Sequence, residues 1–156
     1  PTLKIDTARV TIQDSSEAQT GTIMREDTAE NSGVSSHYVI DIQGSGWLTF
    51  ESGIVQNNSG NANGKGASLV RVGDDSVAKY PGLNIKGGTF TQDNFIVIKV
   101  DSGDLFLNGG TLNAEGWIDE RCEYQLWRGT ITAPNLDVLP GVHLLGDSVT
   151  IIDPQG

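Results

Sequence analysis

A chain of 156 residues with a net charge of −10 and only ten Lys and Arg lacks the cationic surface that phosphate contact needs, which excludes a nucleic-acid groove and an anionic membrane as partners. Twenty glycines against five prolines, with Ser, Thr, Asn and Asp between short Val, Ile and Leu runs, make an all-β composition rich in turns. Cys122 stands alone, so neither an internal disulfide nor a Cys/His zinc spacing is available; no run of about eighteen apolar residues marks a membrane span, and Pro1 opens no signal peptide.

The chain reads as one domain over residues 1–156, with an N-terminal rung and polar loop at 1–37, regular coils at 38–132 and a C-terminal cap at 133–156. Leu3-Lys4-Ile5, Val10-Thr11-Ile12 and Gly21-Thr22-Ile23 form a degenerate first rung with an insertion before Gly21. Residues 26–36 are polar and predict a protruding loop. Tyr38 to Ile42, Leu69 to Val72 and Phe95 to Val100 are apolar runs that supply one wall, with Trp117-Ile118 a weaker fourth member.

Between these runs lies a repeat that organises the chain. Trp47 to Val55, Gly82 to Phe90, Asp104 to Leu112 and Glu123 to Ile131 align without gaps on x-Φ-x-Φ-x-x-Gly-Thr-Φ, where Φ is apolar and the first copy has Ile54 at the Thr position. Leu48/Phe50, Leu83/Ile85, Leu105/Leu107 and Tyr124/Leu126 alternate with the period of a strand that buries one face. The glycine after each pair permits a positive φ, so the chain bends there and starts a second strand toward Val55, Phe90, Leu112 and Ile131. The glycines are spaced 35, 22 and 19 residues apart, and intervals near twenty fit one turn of a stacked β-solenoid. Residues 134–146 break the frame, and Val149 to Ile152 supply a final strand; atypical ends of this kind serve as caps.

The Leu83-Asn84-Ile85-Lys86-Gly87-Gly88-Thr89-Phe90 motif resembles the repeats of pectate-lyase-like right-handed parallel β-helices in bacterial surface proteins and adhesins, over residues 38–132. The resemblance implies an all-β, single right-handed β-helix at the cell surface or outside the cell, joined to neighbouring domains of a larger chain. It implies little about ligand, because the fold hosts lyases, hydrolases, adhesins and binding modules.

Of the groups with which β-helical enzymes cut polysaccharide, the chain carries only the acidic pair Asp74-Asp75. His37 and His143 lie apart and beside no nucleophile motif. No catalytic residue is therefore assigned. Stacked turns would bring Asp74 or Asp75, Asp101, Asp104, Glu120 and Glu123 onto neighbouring coils, and Asp101, Asp104 and Glu120 are candidate calcium ligands; a screened, metal-free ladder is the alternative. Thr89, Thr111 and Thr130 form one column, too narrow for the flat array that orders ice.

Outward positions of the repeat point to binding. Thr49, Asn84, Phe106 and Gln125 share one column, and Glu51, Lys86, Asn108 and Trp127 the next, so Phe106 and Trp127 interrupt polar rows. On adjacent strands they would stand about 8 Å apart, with Asn84, Asn108, Gln125, Lys86 and Arg128 around them. Aromatic faces beside amides and charges suit a polysaccharide or host glycan: CH groups pack on the ring and hydroxyls find hydrogen-bond partners. A loop over residues 135–145 that covers both rings is the competing arrangement. The chain is thus expected to be a non-catalytic carbohydrate-binding or adhesion module, the alternatives being a structural spacer or a lyase or hydrolase fragment.

Overall fold

A computed structural model describes residues 1–25, 38–57, 69–74, 81–91, 98–108, 110–113, 128–132 and 148–152. These form β1 (Leu3–Ile5), β2 (Arg9–Ile12), β3 (Thr22–Arg25), β4 (Ile40–Ile42), β5 (Trp47–Phe50), β6 (Ile54–Asn57), β7 (Val70–Val72), β8 (Gly82–Ile85), β9 (Thr89–Thr91), β10 (Ile98–Val100), β11 (Asp104–Leu107), β12 (Thr111–Asn113), β13 (Arg128–Thr132) and β14 (Ser148–Ile152), with no helix among the described residues.

The strands fall into three sheets that the chain visits in rotation through β12, after which β13 and β14 both join the second sheet. The first is β1-β4-β7-β10, the second β2-β5-β8-β11-β13-β14, and the third β3-β6-β9-β12. Every neighbouring pair is parallel. Each pass from first to third sheet thus lays its strands beside those of the pass before, which is what the repeat and the intervening apolar runs predict.

Register carries the apolar columns. Val10, Leu48, Leu83 and Leu105 stand in one line, with Ile12, Phe50 and Ile85 in the next. Ile40, Ile42, Val70, Val72, Ile98 and Val100 from the first sheet and Val55 and Phe90 from the third join them in one buried cluster. Phe50 and Phe90 meet edge to face with centroids 4.8 Å apart, a geometry that adds to what burial of their area contributes. Leu3, Val10, Ile12 and Ile23 of the first pass pack on this cluster but are only half-buried.

The bend between second and third sheets depends on the repeat's glycine. Gly53, Gly88 and Gly110 have φ of 108°, 84° and 84°, a region that residues with a Cβ rarely enter. At Gly88 a Cβ would also press within 2.6 Å of the Phe50 ring. A second set of positive φ values, at Gly44, Gly73 and Gly103, turns the chain from the first sheet into the second; the Gly-Thr pattern does not reveal these.

The fourth repeat departs from the expected register. Its Gly129-Thr130-Ile131 was aligned with the bend and third-sheet strand of the other copies, so Thr130 would lie beside Thr111. Instead Asp104 pairs with Thr130 and Leu105 with Ile131. The segment Arg128–Thr132 alternates polar and apolar residues, which serves a second-sheet strand equally well, and β14 continues that sheet in five-residue register. Thr130 therefore leaves the threonine column, in which Thr89 and Thr111 still pair.

Candidate functional site

The outward side of the second sheet is assembled by alternation: with Val10, Leu48, Leu83 and Leu105 turned inward, the residues beside them face the other way. One outward row is Arg9, Trp47, Gly82 and Asp104; the next is Thr11, Thr49, Asn84, Phe106 and Thr132. Phe106 is half-buried, as is Trp47, and their rings lie 5.7 Å apart at 41°. Their strands are separated by β8, about 9.6 Å in total, so the two side chains lean toward each other across it. Arg9, exposed, places its guanidinium carbon 5.5 Å from the Trp47 ring centroid, within range of a cation–π attraction.

The polar candidates surround this pair. Asn108 Nδ2 donates to Asn84 Oδ1 at 2.9 Å, and Lys86 Nζ lies 3.3 Å from Glu51 Oε1. Both contacts are exposed and contribute little stability, so a ligand hydroxyl can replace either partner at small cost. Asn84, Lys86, Phe106 and Asn108 are thus brought together on one surface. Gln125 and Trp127 lie outside the described residues. Arg128 does not join them by the expected alignment: it opens β13, two residues before the partner of Asp104. The aromatic neighbour of Phe106 among the described residues is Trp47, the first residue of the first repeat copy.

Of the acidic ladder, Asp74, Asp101 and Asp104 are among the described residues. Asp101 is 4% exposed and its Oδ1 lies 3.1 Å from Lys99 Nζ. Asp104 lies on β11 opposite Gly82 and Thr130, while Asp75, Glu120 and Glu123 are outside the described residues, as are His37 and His143. Among the described residues no three Asp, Glu, His or Cys side chains converge as a metal site, and no helix is long and apolar enough to cross a membrane.

Two other polar assemblies were candidates. On the outward side of the first sheet, Arg71 Nε and Nη2 donate to the two Asp41 carboxylate oxygens at 2.9 and 3.2 Å, and Gln43 Nε2 donates to Asp41 Oδ2 at 2.9 Å. Burial opposes the Arg71 charge, but the Asp41 hydrogen bonds and the charges nearby outweigh it and raise its pKa. The guanidinium also covers the Tyr38 ring at 4.6 Å, and burial pushes the Tyr38 phenol above its ordinary value. Arg71, Gln43 and the Asp41 carboxylate thus satisfy one another in a mostly buried cluster, while the buried Tyr38 hydroxyl has no hydrogen-bond partner among the described residues.

At the other corner, a hollow of about 250 Å³ is lined by Ile12, Ile23, Phe50, Asp14 and Ser52 among others. Its polar atoms are already engaged: Ser52 Oγ accepts from Asp14 N at 2.8 Å and donates to Asp14 O at 3.0 Å. The Asp14 carboxylate accepts from Ser16 N at 2.8 Å and Gly21 N at 2.6 Å. Those bonds, the Ser16 backbone first, hold its pKa below the ordinary value.

No protein-family model, curated protein or solved structure matches this chain.

Proposed function

We propose that the three sheets are the walls of a single right-handed parallel β-helix, and that the outward side of its second sheet binds carbohydrate without covalent chemistry, as part of an extracellular or surface protein of the pectate-lyase-like, adhesin type. The rotation through three parallel sheets, the paired glycine bends and the shared core support the architecture. The observation that carries the function is the Trp47–Phe106 pair with Arg9 at one end and Asn84, Asn108 and Lys86 alongside. A sugar ring packs its CH face on such a surface, and its hydroxyls exchange with the Asn and Lys contacts.

A spacer is the second reading, favoured by the way Asn84 pairs with Asn108 and Lys86 with Glu51 within the molecule. A glycan array separates the two. The binding reading expects retention of at least one glycan by the wild-type chain and at least tenfold weaker binding by Trp47→Ala and by Phe106→Ala. Absence of binding to every glycan favours the spacer, and release of unsaturated or reducing ends by the pure protein overturns the non-catalytic reading.

A further inference from the structure

The aromatic row contains one position without a side chain, and it is the position over which the indole lies. Trp47 and Asp104 flank Gly82 on the two neighbouring strands. An ideal Cβ built on Gly82 would overlap Cε3 and Cζ3 of Trp47, and its third-nearest neighbour, Cη2, belongs to the same ring. Gly82 is not among the glycines with positive φ, and it opens β8, paired with a strand on either side, where glycine offers no side chain to pack. Backbone conformation therefore gives no reason for glycine here; the indole does.

We propose that Gly82 is the positioning residue of the binding surface. By leaving the middle strand bare at this one position it lets Trp47 reach over β8 to Phe106, so that two aromatics from strands that are not neighbours form one surface with Arg9 at its end. A side chain at 82 would stand between them and divide that surface in two. The positioning rests on geometry alone; its meaning for ligand binding rests on the carbohydrate reading above.

The test is a pair of thermodynamic and spectroscopic cycles on the full chain. Gly82→Ala should lower the melting temperature by about 5 °C when Trp47 is present, and leave it unchanged or slightly raised in a Trp47→Ala background, where the obstruction is gone. If Gly82→Ala alone does not fold, the Trp47→Ala background still decides the matter: equal damage there overturns the proposal. In protein labelled with 5-fluorotryptophan, the Trp47 resonance is the one lost in Trp47→Ala. Phe106→Ala should shift that resonance when residue 82 is Gly and leave it in place when residue 82 is Ala; an equal shift in both overturns the proposal. On the array, Gly82→Ala should weaken any retained glycan at least fivefold, as a positioning role requires and a fold defect below the melting transition does not. If wild type retains no glycan, the carbohydrate reading fails, whereas the melting and fluorine cycles still confirm or overturn the positioning.

Discussion

The outward sides of the first and second sheets are made by the same alternation and differ in what their side chains do with one another. On the first, Arg71 pairs with Asp41 of the neighbouring strand and Lys99 with Asp101 two residues on, and Asp41 and Asp101 are 5% and 4% exposed. On the second, the contacts are aromatic or exposed, and Arg9 meets an indole face rather than a carboxylate. Mutual satisfaction makes the first side part of the fold's stability. The second side keeps an aromatic surface and an arginine that cost the fold little to lend to a ligand.

The largest effect that tests this contrast is Asp41→Ala. It leaves the Arg71 guanidinium mostly buried without its carboxylate, and chemical denaturation should show a loss of about 3 kcal/mol. Replacing both with leucine should recover most of that loss, since apolar packing substitutes well for a buried pair; a double variant as unstable as the single would mean that Arg71 and Asp41 serve something beyond each other. Trp47→Ala on the second sheet should cost less, about 1.5 kcal/mol in the same measurement, because the ring is only partly buried. A loss matching that of Asp41→Ala would make Trp47 a structural residue and erase the contrast.

Smaller still is Lys86→Ala, whose pair with Glu51 is exposed on both sides; denaturation should register no more than about 0.5 kcal/mol, with no added salt dependence. At the corner between the second and third sheets, Asp14 has a folded pKa below its unfolded one, so its contribution is present above the unfolded pKa of about 3.9 and is lost as pH falls through the lower folded value. The melting temperature of wild type should therefore exceed that of Asp14→Ala at pH 6, and the gap should close as pH drops below 4. A gap that stays constant down to pH 2 would show that the charge of Asp14 plays no part.

Much of the fold is legible in the residues because its unit is short and its signals coincide. Leu48/Phe50, Leu83/Ile85 and Leu105/Leu107 alternate in the same frame that a glycine then ends, and those three passes stack as the alignment predicts. The fourth copy failed because Gly129-Thr130-Ile131-Thr132 satisfies two patterns at once, the bend of the repeat and a plain alternating strand, and only packing chooses between them. Phe106 was legible as an apolar residue in a polar column. Its partner was not, since Trp47 belongs to the other outward row and reaches Phe106 only because residue 82, in the next copy, has no side chain. Reading columns down through the copies, Trp47 then Gly82 then Asp104, is the signal that finds it.

The connections that close each pass differ sharply in tolerance. From second to third sheet, residues 51–53, 86–88 and 108–110 hold to three after a first pass that uses 13–21, whereas from third to first sheet every connection is longer than three and varies, over 26–39, 58–69 and 92–97. Strands that meet the same neighbours whatever length intervenes make a whole pass an exchangeable cassette. Excising residues 70–97 would present Ile98 and Val100 to Ile40 and Ile42 in the place of Val70 and Val72, and Leu105 to Leu48 in the place of Leu83. Such an exchange keeps the inward columns apolar and sets Asp104 beside Trp47 where Gly82 had been, so the interior tolerates recombination of whole passes while the outward surface changes with each one.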